Sequence, residues 1–126
     1  MPDIVPGDFS YLQKYAEFIS KKDFWEEVLS QLNKDLAQNN AIVVSQPHLQ
    51  GENAAEALVT ELQKYLPNVT PRLSEILYRI DLGEKYEASL KDLPVDLYYR
   101  VLSELVLKRI IQKVITRRVY SDKKIN

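Results

Sequence analysis

Apolar residues recur three and four positions apart along most of this chain, the spacing of one helical face. The first run is Phe9, Leu12, Tyr15, Ala16 and Ile19, widened by Tyr11 and Phe18, with Asp8 placed to cap it. A second helix is expected to open at Asp23, where Glu26 three residues later gives the spacing of a capping box. Its stripe is Phe24, Trp25, Val28, Leu29, Leu32 and Leu36, and Gln38-Asn39-Asn40 ends it, since Asn tolerates a left-handed turn. A third helix follows Asn53, buries Ala55, Leu58, Val59, Leu62 and Leu66, and stops at Pro67. Thr70-Pro71 starts a fourth, with Leu73, Ile76, Leu77 and Ile80 on one face and Gly83 beyond it. A short fifth, about 84–91, carries Tyr86 and Leu90, and a last and longest helix covers roughly 94–118.

Residues 41–51 break this pattern. The β-branched run Ile42-Val43-Val44 allows at most one short strand near 41–45. A lone strand is not stable, so an extended connector whose apolar residues plug the helical core is preferred. Two prolines and a glycine make residues 1–8 an extended arm. The expected architecture is all-α: a compact bundle of five to six helices in a single domain over 1–126, with a basic tail at 119–126. Composition agrees. The chain of 126 residues has the length of one domain, its 45% hydrophobic content suffices for a core, and three glycines are too few for a turn-dense β fold.

The long C-terminal helix changes its apolar direction partway. Leu97, Tyr98, Tyr99, Val101, Leu102, Leu105 and Val106 centre on one side; Leu107, Ile110, Ile111, Val114 and Ile115 centre on nearly the opposite one. A helix lying on one surface keeps its stripe in one direction, so the two halves bury against different neighbours. Either the helix is central and the rest of the domain surrounds it, or one half packs on a second copy or another protein. At 1.5 Å per residue the helix spans about 37 Å and outruns a small core, which brings the second account forward. Tyr98, Tyr99, Leu107, Ile111 and Ile115 are then the candidate partner interface. Aspartate at Ile111 or Ile115 separates the accounts: a soluble monomer results from a broken interface, unfolding from a broken core.

Charge adds an alternative. The formal net charge of −1 divides into −7 over residues 1–107 and +6 over 108–126. Lys108, Arg109, Lys113, Arg117, Arg118, Lys123 and Lys124, with Tyr120 among them, are candidate nucleic-acid contacts. The acidic body supplies a plainer destination for them, in Glu17, Glu26, Glu27, Glu52, Glu56 and Glu61. Cations near a helix end also offset its dipole.

Motifs for chemistry are sparse. The absence of cysteine excludes disulfides, thiolate zinc sites and cysteine nucleophiles. His48 is the one histidine, and no Glu-x-x-His or His-x-x-x-His spacing surrounds it. The carboxylate pairs Glu26/Glu27, Glu52/Glu56 and Asp92/Asp96 fall where capping and surface charge explain them. Among eight tyrosines, Tyr78-Arg79-Ile80-Asp81 and Tyr98-Tyr99-Arg100 set tyrosine beside arginine, and Arg79 and Arg100 suit partly buried pairs that hold helices in register. Without a basic-then-apolar leader or a run of ~18 apolar residues, a cytoplasmic location off the membrane is expected, and the sequon Asn68-Val69-Thr70 is idle. The expected function is therefore non-catalytic, without cofactor or metal: a helical interaction module that self-associates, as a homodimer for example, or binds a protein through its C-terminal helix.

Overall fold

The structure is a computed structural model that describes residues 7–36, 51–68, 90 and 92–125, with side chains at 7–36, 53–68, 90 and 92–121. The strand expected near 41–45, His48, the helix expected after Thr70, most of 84–91, and Tyr78, Arg79 and Asp81 lie outside the described residues. Within them all regular structure is helical and no strand occurs. A 3-10 turn, Ser10–Tyr15, leads into α1 (Ala16–Ile19), α2 (Lys22–Leu36), α3 (Gly51–Tyr65) and α4 (Val95–Ile125). The expected count of five to six helices rests partly on segments outside the described residues. No described helix is long and apolar enough to cross a membrane.

The first helical run departs from expectation. Asp8 Oδ1 accepts the Ser10 N–H at 2.9 Å, and the chain then winds as a 3-10 turn before one turn of α-helix. Residues three apart eclipse in a 3-10 turn, so a three-residue apolar spacing fits it as well as an α-helix. Phe9 and Leu12 obey that spacing and are buried, whereas Ala16 is exposed. Just upstream, Gly7 takes a left-handed φ of +86°, open to glycine at little cost. Its N–H donates to Glu104 Oε1 of α4 at 2.8 Å.

Helix α2 buries the expected face, with Phe24, Val28, Leu32 and Leu36 fully covered. Its start differs: the helix opens at Lys22, so Asp23 and Glu26 sit inside the first turns. Glu26 pairs with Lys22 at 3.8 Å, and Asp23 turns to Arg118 of α4 at 3.4 Å. The Trp25 indole N–H donates to the Ile19 carbonyl at 2.8 Å, and its ring meets Phe24 edge-on, 5.3 Å between centroids. These contacts fix the joint between α1 and α2. At the far end of α2 the Tyr65 hydroxyl donates to the Leu36 carbonyl at 2.8 Å. That satisfies an acceptor a helix terminus leaves open and ties the end of α3 to the end of α2.

Helix α4 has 31 residues, about 46 Å at 1.5 Å per residue. Every residue from Val101 to Leu107 is buried, so here the helix is enclosed on all sides. Beyond, burial narrows to Ile110, Ile111, Val114 and Ile115, a single stripe. The earlier half pairs with α3 through Arg100 and Glu56, and the later half pairs with α2 through Lys113 and Asp35. The apolar swap thus reflects different neighbours within one chain. Leu107, Ile111 and Ile115, expected at a partner interface, pack instead in the chain's own core, at 0%, 0% and 6% exposure. The segment expected as a basic tail continues the helix through Ile125.

Candidate functional site

The polar residues that α4 leaves outside its buried stripe gather on its α2 side. Arg109, Lys113, Thr116, Arg117 and Tyr120 follow the three- and four-residue spacing of one helical face, and Gln31 and Lys34 of α2 stand opposite. Between them lies an open groove of about 500 Å³. Lys34, Arg109, Lys113 and Arg117 put four cations on its walls, and no carboxylate is among the described residues that line it. Thr116 and Ser121 add hydroxyls, and Tyr120, 66% exposed, stands at the rim.

Two of these cations are braced from behind by α2. Lys113 Nζ donates to Asp35 Oδ2 at 3.1 Å, and Asp35 is buried. The Gln31 side-chain amide donates to the same Asp35 oxygen at 3.0 Å, and its carbonyl accepts from Arg117 Nη1 at 3.0 Å. Arg117 also donates through Nε and Nη2 to Glu27 Oε2, at 3.0 and 2.7 Å. Arg118 reaches Glu27 Oε1 through Nε at 2.9 Å and lies 5.3 Å over the Phe24 ring. Burial pushes the Glu27 carboxyl up, but Arg117 and Arg118 outweigh it and hold its pKa below the ordinary carboxylate value. The result is a chain of paired groups from Lys113 to Asp23 that fixes where the guanidiniums point.

A second polar cluster sits one third of the way along α4. Arg100 donates to both oxygens of Glu56, from Nη1 at 2.8 Å and Nη2 at 2.9 Å, the fork geometry that suits guanidinium to carboxylate. This pairing lowers the pKa of Glu56 and raises that of Arg100. Glu104, one turn on and 2% exposed, accepts from Gly7 and lies 3.4 Å from Arg100 Nε through Oε2. That oxygen, the Tyr11 hydroxyl and the Ser103 hydroxyl are buried without a hydrogen-bond partner. Desolvation pushes the Tyr11 phenol well above its ordinary pKa, and the Glu104 charge adds to the effect. Lys108 covers the Tyr11 ring at 5.1 Å.

The residues singled out from sequence are therefore dispersed. Tyr98 and Tyr99 are half-buried against the core, their rings edge-on at 5.0 Å. Of the candidate nucleic-acid contacts, Arg109, Lys113 and Arg117 meet in the groove, Arg118 turns to the start of α2, and Lys108 turns to Tyr11. The side chains of Lys123 and Lys124 lie outside the described residues. Sequence reasoning missed Lys34 and Gln31, which arrive from another helix, and the stripe through Thr116. The stripe was readable as an i, i+4, i+7, i+8, i+11 series from Arg109; the neighbourhood of Lys34 was not. Among the described residues no group of three or more metal-ligating side chains comes together. No protein-family model, characterised protein or solved structure matches this chain.

Proposed function

We infer that this chain is a non-catalytic interaction module, and that it associates with a second copy of itself through the outer end of α4. The observation that supports this reading is a mismatch between the helix and its support. Among the described side chains of α4 the last buried one is Ile115 and the last ion pair to α2 is at Arg118, yet the helix continues to Ile125. These last residues make about two turns. The end of a helix frays where no packed face holds it, and a partner that covers it stabilises it. Val119 and Tyr120 are exposed there, and tyrosine suits such contacts because it joins apolar area to a polar tip. The charge split favours a second copy: Lys113, Arg117 and Arg118 are taken up within the chain, and the other cations of the basic end complement the acidic 1–107 segment of the next chain. Of the carboxylates paired in the sequence, Glu26 faces Lys22, Glu27 faces Arg117 and Arg118, and Glu56 faces Arg100, which supports a structural rather than catalytic role for them.

Sedimentation velocity over a range of protein and salt concentrations tests the reading, with Val119→Asp as the variant. Association that weakens with salt and is lost in the variant, at an unchanged melting temperature, is the expected result. A monomer at every concentration removes self-association and turns the search to a different protein.

Nucleic acid bound by 108–124 is the alternative, favoured by the cations in the groove. Against it, Lys113, Arg117 and Arg118 already face carboxylates of α2. Labelled oligonucleotides titrated at low and moderate salt decide: salt-sensitive binding that falls with Arg117→Glu supports it, and none at low salt ends it.

A further inference from the structure

Residues 7–15 lie against α4 on a footing unlike that of α2 and α3. Gly7 donates its N–H to Glu104 Oε1 at 2.8 Å, and the Tyr11 ring lies 5.1 Å from Lys108 Nζ, so the segment follows one face of α4 for about a turn. Between Gly7 and Ile19 the buried side chains are Phe9 and Leu12, and α1 buries none. The 3-10 turn that carries Leu12 has poorer hydrogen-bond geometry than an α-helix. The polar contacts beneath the segment are also incomplete. Tyr11 is half-buried as a residue, yet its hydroxyl is turned inward and has no hydrogen-bond partner among the described residues. Glu104 Oε2 is likewise covered without a hydrogen bond, with Arg100 Nε 3.4 Å away. A polar group closed off from water without a partner is worse placed than the same group in water. Seating the segment therefore gains apolar burial and loses hydration at two atoms.

The far end is fastened more firmly. The Trp25 indole N–H holds the Ile19 carbonyl at 2.8 Å, and Trp25 is itself buried, so a motion that starts at Gly7 stops at the α1–α2 joint. We propose that residues 7–15 are a strap that lifts from α4 as a unit while α2, α3 and α4 stay folded, the lifted state being favoured by hydration of the Tyr11 hydroxyl and Glu104 Oε2. Native proteins open in cooperative pieces, and the pieces that open first are those with few buried apolar contacts. Lifting uncovers Glu104 between Arg100 and Lys108, four residues away on either side along one face of α4. About three turns of α4 separate Lys108 from Val119, so the strap does not depend on self-association.

Amide hydrogen exchange of the full chain, followed by NMR at urea concentrations below the unfolding transition, tests the strap. The Leu12 amide, which donates to the Phe9 carbonyl at 2.9 Å, reports on residues 7–15. The Leu62 and Val106 amides, inside α3 and α4, report on the body. Leu12 should exchange through an opening that depends little on urea, because a local opening exposes little surface. Leu62 and Val106 should exchange through one that depends on urea steeply. Tyr11→Phe removes the unpartnered hydroxyl and keeps the ring, so it should slow Leu12 exchange roughly tenfold. Gly7→Ala acts in the other direction. An added Cβ meets nothing within 4 Å, but alanine resists a φ of +86°, and Leu12 should exchange roughly tenfold faster. Leu12 exchange as slow and as urea-dependent as that of Leu62 and Val106 overturns the strap. A Leu12 rate that Tyr11→Phe leaves unchanged or raises overturns the part given to hydration, and the proposal with it.

Discussion

Helix α4 carries two ionic clusters of different construction. At Arg100 the guanidinium is 20% exposed and faces Glu104, a carboxylate enclosed at 2%. At Arg117 the pair is wetter, with side-chain exposures of 50% for Arg117 and 27% for Glu27. Charges removed from water depend on their partners, because an unpaired one cannot be rehydrated. Charges that keep water lose little when a partner goes. The Arg100–Glu104 contact within α4 is therefore the brittle one, and the Arg117–Glu27 attachment to α2 is the adjustable one.

The largest effect comes from breaking the apolar support that lies beneath the adjustable attachment. Ile111→Asp buries an unpartnered carboxylate in a fully enclosed position and should cost more than ~4 kcal/mol, enough to unfold the chain, as circular dichroism and urea titration would show. A folded, soluble monomer would instead return Ile111 to an outer face. Next, Arg100→Ala strands Glu104 and should destabilise by about 3–5 kcal/mol. Adding Glu104→Gln should recover part of that loss, and a strictly additive double variant would deny the coupling. On the other side, Glu27→Gln removes one acceptor from both Arg117 and Arg118 and should cost only ~1 kcal/mol, shrinking with salt. A loss as large as that of Arg100→Ala would erase the distinction between the two clusters.

Acid provides the mildest perturbation and touches both clusters. Glu27 and Glu56 have pKa values below the ordinary 4.5, so each folded carboxylate holds its proton more weakly than the unfolded one. Their contribution is complete above that value and is lost as pH falls through the lowered folded pKa. Thermal stability from these pairs should be level above pH ~5 and decline below pH ~4.5. Arg100→Ala should remove the Glu56 part of the decline and leave the Glu27 part, which melts recorded across this range would resolve.

Much of this was legible in the residues, for local reasons. The buried face of α3, Ala55 through Leu66, follows from its spacing alone, and all five residues expected there are buried. The reversal along α4 was equally visible, since it is a property of one helix. Which neighbour each half meets was not, because that depends on tertiary placement. The same limit hid the groove: Arg109 and Lys113 share a helix, but Lys34 joins them only after α2 and α4 pack. Local chemistry also misled where two geometries share a spacing. Phe9 and Leu12 fit a 3-10 turn as readily as an α-helix, and Asp23 with Glu26 fits a capping box until the helix starts one residue earlier.

Trp25 gives this molecule a built-in optical probe. It is the chain's one tryptophan, 2% exposed, hydrogen-bonded across the α1–α2 joint and edge-on to Phe24. Arg118, near the outer end of α4, rests on the opposite partner of that aromatic pair, so lifting the helix end away from α2 alters the surroundings of a single emitter. Changes in its fluorescence colour and intensity thus report, without any label, whether α4 is seated.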